Sequence, residues 1–425
     1  MTATDGAIDT TSGTTHRRRE PLLDGLRGVC ALGVIVFHVA FQAGVANHIG
    51  DAGYGIWGFI TEGLTVCLPP FFVLSGFLLY RGFARTTILE TPRPDLRSFF
   101  VGRVLRILPA YWVLTIVALS TLNLSGIDDA WDVLKPFLLL HFLLTPDSTQ
   151  WLTGMEPTWT VPTEMFFYLL LPVFAWAIHR HARGVADPAR RARRMLTPLA
   201  ALVVIGFAWI AFCHLPVMAD SVWYFSFWPF GFTGFFAAGM ALAILSVQSE
   251  ATSRPPALHR LIIRMPNLTW LIALFVFAAN VPKPFGQPGD GTWGGMTQEL
   301  VENVLLLAFA VLIILPLTVP AARSRLMTAV LGNRVVLFLG RISYGMYLWH
   351  VLFIHLWFAN GSAFGNVPVP SQMFRGQVGF WELLAFVLAG SIVVSLISLH
   401  AVERPALRLR GRRRADPAPP SRAEG

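Results

Sequence analysis

Long apolar stretches alternate along the chain with short polar stretches rich in arginine. Leu199 to Ala211 and Val304 to Leu317 are two of the apolar runs. A run of about 20 such residues is long enough to cross about 30 Å of hydrocarbon. The pattern predicts spans at roughly 26–46, 58–80, 105–124, 158–178, 195–214, 223–247, 267–281, 300–319, 335–358 and 380–401. The expected fold class is therefore all-α: a polytopic membrane helix bundle of about ten transmembrane helices. No internal repeat of the kind many transporters carry is visible.

Trp131 to Thr145 is apolar enough to suggest another span. Counting it would reverse the side on which the following basic loop falls. The segment near 131–157 is read instead as re-entrant or interfacial, which backbone tolerates only where protein or a water-filled cavity satisfies it. An ordinary helix pair is the alternative. Residues 1–20 are polar and Thr-rich and 411–425 are basic and Pro-rich, so both read as disordered cytoplasmic tails around a membrane domain at 21–410. The run after the first tail is too long for a signal peptide's apolar core and contains Arg27 and His38.

Charge then orients the bundle. Arg81 to Arg106, Arg180 to Arg194, Arg254 to Arg264, Arg323 to Arg334 and Arg408 to Arg414 bound clusters that follow alternate spans. The other connections carry almost no Lys or Arg. The positive-inside rule puts every cluster and both termini in the cytoplasm, and the protein in the cell (plasma) membrane. Composition agrees: 54% of the 425 residues are hydrophobic and 13% charged, against about 25% charged in soluble domains. The net charge of +9 sits in these loops beside lipid headgroups, so a nucleic-acid partner is not expected. Cys30, Cys67 and Cys213 are widely spaced in or beside apolar runs and read as buried small hydrophobes.

Ionisable groups at membrane depth are costly and mark candidate sites. Arg27 and His38 are 38 − 27 = 11 residues apart. They fall about 20° apart on one helix face and about 16 Å apart along its axis. With Arg27 at the cytoplasmic edge, His38 lies near mid-membrane. Histidine suits a general base because its pKa lies near neutrality. A snorkelling boundary arginine and a hydrogen-bonded structural histidine remain open readings. Thr160 and Glu164 share a face, and Glu164 is a candidate catalytic residue that orients a histidine or binds an acceptor hydroxyl, with a structural ion pair as the alternative. Ser343, Tyr347 and His350 form a polar stripe in an apolar helix, and His350 is a second candidate imidazole or a packing residue; His355 points elsewhere and has no assigned role. Ser75 and Gly76 are small enough to admit a neighbouring helix or a ligand. No H-E-x-x-H, C-x-x-C, G-x-S-x-G or P-loop is present, so no metal, NTP or serine-nucleophile chemistry is expected.

Taken in order, LDGLRGVCALGVIVFH (23–38), FFVLSGFLLYR (71–81), RVLRILPAYW (103–112), WTVPTEMFFY (159–168), GRISYGMYLWH (340–350) and ERP (403–405) resemble the acyltransferase family 3 of integral membrane O-acyltransferases. The resemblance covers roughly residues 20–410. It implies an O-acyltransferase that takes acyl-CoA as co-substrate at the cytoplasmic side, holds no permanent cofactor, and acylates a carbohydrate hydroxyl. By resemblance, Arg27 and His38 are the essential pair and Ser75, Gly76 and Phe77 line the core near them. Arg103 and Arg106 sit at the donor mouth, with Glu164 on the acceptor side. Thr160, Tyr347 and His350 are candidate acceptor contacts. Many members read Trp-Ser-Leu where this chain has Trp159, Thr160 and Val161; Thr160 keeps the hydroxyl. Some members carry a further extracytoplasmic domain; the chain ends soon after Arg414, so any such step is expected to fall to another protein. A proton-coupled carrier with no chemistry, and an acyltransferase acting on a glycosylated small metabolite, are the rival readings.

Overall fold

The computed structural model describes residues 21–45, 55–145, 151–252, 255–286, 292–358 and 379–412. The tail at 1–20 and nearly all of 411–425 lie outside the described residues. The first half of the chain forms α1 (Pro21–Gln42), α2 (Gly55–Gly63), α3 (Pro69–Ile88), α4 (Leu96–Thr121), α5 (Ala130–Phe137), α6 (His141–Leu144), α7 (Thr160–Ala182) and α8 (Pro188–Cys213). The second half forms α9 (Val222–Ser226), α10 (Thr233–Ala251), α11 (Ala257–Arg264), α12 (Leu268–Asn280), α13 (Trp293–Thr318), α14 (Arg325–Leu331), α15 (Arg334–Phe358), α16 (Phe380–Ser398) and α17 (Arg404–Arg412). Among the described residues nine helical stretches are long and apolar enough to cross a membrane. The pair α11–α12, bent by 95°, makes a tenth. The chain is a polytopic membrane helix bundle.

Several helices run further than hydropathy alone indicates. α3 continues to Ile88 and α4 begins at Leu96, because arginines at their ends extend polar heads past the apolar layer while their stems stay packed. α1 starts at Pro21, a residue preorganised for a first helical position. Arg27 therefore lies about 9 Å inside the helix and His38 about 6 Å from its far end. The expected span at 223–247 is helical throughout only from Thr233; Pro216 and Pro229 break the preceding segment into short turns.

Successive spans reverse direction, so their ends gather at two faces. One face collects the arginine clusters; among the described residues the connections of the other carry Lys135 and Lys283. Close helix crossings use glycine. A Cβ on Gly28 would stand 2.6 Å from the Gly340 nitrogen, which holds α1 against α15. A Cβ on Gly76 would stand 2.2 Å from the Phe236 carbonyl oxygen, and one on Gly239 would stand 2.0 Å from that of Val73, locking α3 to α10. Such contact replaces the hydrophobic drive that helices lack in lipid. Large apolar side chains such as Val204, Phe275 and Ile397 stay exposed on the perimeter, where the solvent is hydrocarbon.

The segment after α4 does not cross. Its two ends are clasped: Asn123 Nδ2 donates to Thr153 O (3.0 Å) and Thr153 N donates to Asn123 Oδ1 (2.8 Å). Between them the chain dips along α4, where Tyr111 OH donates to Pro136 O (3.0 Å) and Trp112 Nε1 to Phe137 O (3.1 Å). Tyr111 lies ten residues before the end of α4, so the dip is about 15 Å deep. It turns at Leu139, a non-glycine residue at φ 62°. His141 Nε2 accepts the Leu152 N–H at 2.9 Å. Burial, aided by the Lys135 charge, pushes this imidazole down to about 4. Rings of Phe142, Trp151, Phe227, Trp159, Phe232 and Phe72 then run in unbroken contact from the segment to α3.

Candidate active site

α1, α3, α4, α7, α13, α14, α15 and α17 line a cavity of about 1660 Å3 that reaches inward from the basic face. Arg27, Arg81, Arg85, Arg103, Arg106, Arg323, Arg341 and Arg404 line it, against the carboxylates of Asp24 and Glu164. Part of this charge is met locally. Arg81 Nη2 reaches Glu250 Oε1 at 2.7 Å, Arg85 bonds the other oxygen of Glu250, and Arg27 Nη1 lies 3.3 Å from Asp24 Oδ1. The surplus remains positive, and Arg106 is exposed to the cavity from the middle of an apolar helix. Guanidinium groups so placed suit an anion, and phosphate above all.

Glu164 projects from the second turn of α7 into the inner half of this cavity. Ser75 Oγ donates to its Oε1 (3.3 Å) and Tyr168 OH to its Oε2 (2.9 Å). The i, i+4 spacing of Glu164 and Tyr168 puts donor and acceptor on one helix face. Among the described residues Glu164 makes no ion pair, so hydroxyls hold the carboxylate in place. Its surroundings include the charges of Arg106 and Arg27.

The inner end of the cavity is closed by Tyr347 and Thr160. Tyr347 OH donates to Pro157 O at 2.7 Å, and Thr160 Oγ1 lies 3.0 Å from Tyr347 OH. Immediately beyond this layer sits a histidine pair, with the ring of His350 5.8 Å from that of Tyr347. His350 Nδ1 is 2.7 Å from Tyr347 O and His38 Nδ1 is 2.9 Å from Val34 O. A carbonyl only accepts, so both Nδ1 atoms carry protons. His350 Nε2 is then a lone-pair acceptor, and it lies 3.3 Å from His38 Nδ1. The His38 N–H is shared between Val34 and His350, which leaves Nε2 of His38 as a base with its lone pair free. This is the arrangement in which a second group fixes the tautomer of a catalytic histidine.

The structure thus gathers Arg27, Arg103, Arg106, Ser75, Thr160, Glu164 and Tyr347 around one cavity, and sets His38 and His350 together just past its end. Gly76 and Phe77 do not line it: Gly76 faces α10 at the close crossing, and Phe77 is fully buried with Arg81 5.8 Å above its ring. Glu164 lines the same cavity as Arg27, Arg103 and Arg106. Sequence reasoning missed Tyr168, Arg341 and Arg404, although all three lie within motifs quoted above. Their signal was the motif itself, since a membrane-depth tyrosine four residues after a glutamate is a ready partner. It also left His355 unassigned; its Nε2 is 2.7 Å from Glu156 Oε1.

A polytopic membrane bundle with a basic cavity running up to a paired histidine is the class of protein these features define. The model of acyltransferase family 3, an acyltransferase domain, matches residues 21–400, and the chain belongs to that family. It is similar to the peptidoglycan O-acetyltransferase OatA of Listeria monocytogenes, with 22% identity covering 92% of this chain and 56% of that protein. It is also similar to the acyltransferase MdmB of Streptomyces mycarofaciens, with 26% identity over 93% and 94% of the two chains. Nodulation protein 10 of Rhizobium leguminosarum is 23% identical over 85% and 88%. The chain spans little more than half the length of the peptidoglycan O-acetyltransferase it matches. No solved structure matches significantly.

Proposed function

We propose that the protein is a membrane O-acyltransferase that moves an acyl group, acetyl in the simplest case, from cytoplasmic acyl-CoA to a hydroxyl of a carbohydrate or glycosylated acceptor. The observation that carries this reading is the pairing of an arginine-rich cavity with a histidine base held just beyond its end. The names of the relatives support O-acetylation and acyl transfer. The basic face is cytoplasmic by the positive-inside rule, and CoA phosphates bind Arg106, Arg341 and their neighbours. The pantetheine arm carries the thioester inward to the Thr160–Tyr347 layer, and parting of that hydroxyl contact admits the thioester to His38. Nε2 of His38 takes the proton of the acceptor hydroxyl as its oxygen attacks the thioester carbonyl. Collapse of the tetrahedral adduct breaks the C–S bond, and the thiolate leaves with the proton held by His38. His350 keeps the His38 tautomer in register throughout.

Purified protein supplied with radiolabelled acetyl-CoA and envelope glycans tests the reading. His38→Ala removes transfer but leaves CoA binding intact, whereas Arg27→Ala weakens CoA binding. Equal binding defects in the two variants would contradict this division. A wild-type protein that transfers no label yet carries unmodified glycoside across vesicles is a transporter instead. Reporter fusions after residues 125 and 215 read outside, and those after 187 and 326 read inside.

A further inference from the structure

Between α16 and α17 the helix is not regular. The chain makes one π-turn over Leu399–Glu403, in which the Arg404 N–H donates to the Leu399 carbonyl oxygen five residues back. Pro405 is the cause. In a regular α-helix its ring would strike the carbonyl of Ala401, and a widened turn relieves the collision. Two pairs of side chains record the change of register. Residues five apart in an α-helix point about 140° away from each other. A π-turn, with about 4.4 residues per turn, leaves them about 50° apart. Ser398 and Glu403 are five apart, and Ser398 Oγ donates to Glu403 Oε1 at 3.2 Å. Leu399 and Arg404 are 404 − 399 = 5 apart, and both line the arginine cavity.

Single π-turns are rare and collect at functional sites. This one decides which side of α17 faces the cavity. Arg404 and Leu407, three residues apart on one face, are the wall that α17 contributes. Arg404 is exposed there and makes no ion pair among the described residues. Glu403, its neighbour in the chain, is held by Ser398 and senses the charge of Arg106 on α4. With a regular turn in place of the π-turn, Arg404 would swing about 90° out of the cavity wall.

Resting on the transferase reading above for the identity of the anion, we propose that Arg404 binds a phosphate of the CoA donor, and that Pro405 is the positioning residue that turns it into the cavity through the π-turn. A guanidinium with no carboxylate partner offers two parallel N–H groups to phosphate oxygens. A register fixed by a proline presents that fork from one place on the wall, which lowers the ordering cost of binding.

The test measures CoA affinity by isothermal titration calorimetry on the full chain in detergent, beside a melting curve. Arg404→Gln weakens CoA binding about tenfold or more and leaves the melting temperature unchanged. Pro405→Ala lets the turn close to a regular one, swings Arg404 aside and causes the same loss. In the double variant the two losses do not add. Deleting Ala401 from the Pro405→Ala protein leaves Leu399 and Arg404 four residues apart, about 40° in an α-helix, and restores CoA affinity. A proline with a merely structural role would not be rescued by shortening the chain. CoA affinity untouched by Arg404→Gln overturns the proposal. So does Pro405→Ala protein that binds CoA as the wild type does, a Pro405→Ala loss that the deletion fails to restore, or wild-type protein that binds no CoA. Protein that binds CoA with this pattern of loss and rescue, yet transfers no acetyl group, would strike the transferase reading and leave the Arg404 contact standing.

Discussion

His350 Nε2 lies 3.3 Å from His38 Nδ1, and both Nδ1 protons point at backbone carbonyls of their own helices. The pair is therefore directional: His350 receives, His38 presents its far nitrogen. His38→Ala should lower acyl transfer by about 10²- to 10⁴-fold, the usual worth of a general base. His350→Ala should cost about tenfold in kcat with the KM for acetyl-CoA unchanged, because only the orientation of the base is loosened. In the double variant the His350 change should add nothing further. Additive losses, measured in a full cycle, would show that the two rings act independently.

Glu164 is held by hydroxyls from Ser75 and Tyr168. Glu164→Gln keeps the shape and can still pair with both, since either hydroxyl can accept from an amide. The variant should stay folded and lose about 10²-fold in transfer, read by radiolabel alongside a melting curve. A destabilised protein, by about 3–5 kcal/mol, would instead mean that the negative charge balances Arg27 or Arg106 in the folded state.

Ser75 and Gly76 are neighbours with opposite duties. A methyl group at Gly76 meets the Phe236 carbonyl oxygen at 2.2 Å, a backbone atom that cannot swing aside. Gly76→Ala should lower stability by about 1–3 kcal/mol. Ser75→Ala should leave the melting temperature nearly unchanged and reduce turnover through the freed Glu164. Reversed effects on melting and turnover would assign the glycine, not the serine, to the site.

The re-entrant segment should be the acid-sensitive part of the molecule. The His141 imidazole titrates at about 4 in the folded protein and near 6.5 when unfolded. Above the unfolded value both states are neutral and the group contributes no pH dependence. As pH falls below 6.5 the unfolded chain takes up the proton first, so stability drops until the folded value is reached. Between pH 7 and pH 5 the loss from this residue is about 2 kcal/mol. His141→Gln offers a non-titrating acceptor to the Leu152 N–H, and its melting temperature should fall less over the same interval. Parallel curves for the two proteins would exclude His141 as the cause.

The spans and their alternation were legible because lipid leaves the backbone few choices: an apolar run of sufficient length must be a helix. Even the non-crossing reading of 131–157 followed from arginine placement, before the Asn123–Thr153 clasp gave it a geometry. Arg27 and His38 stood out for the same reason, since charge within an apolar run has no local explanation. Spacing along one helix, however, says nothing about neighbours. Gly76 was legible as small, but whether a ligand or a helix filled the space depended on α10, more than 150 residues away in the chain. The Thr160–Tyr347 closure, the Ser75–Glu164 bond and the His38–His350 pair each join residues remote in sequence. So does the Glu156–His355 pair, which no periodicity could have found. By itself the sequence determined which helices form, how they alternate and which side chains are too costly to be idle. The tertiary structure alone decided their partners, because a helix fixes the direction of its side chains and only packing brings another helix to meet them.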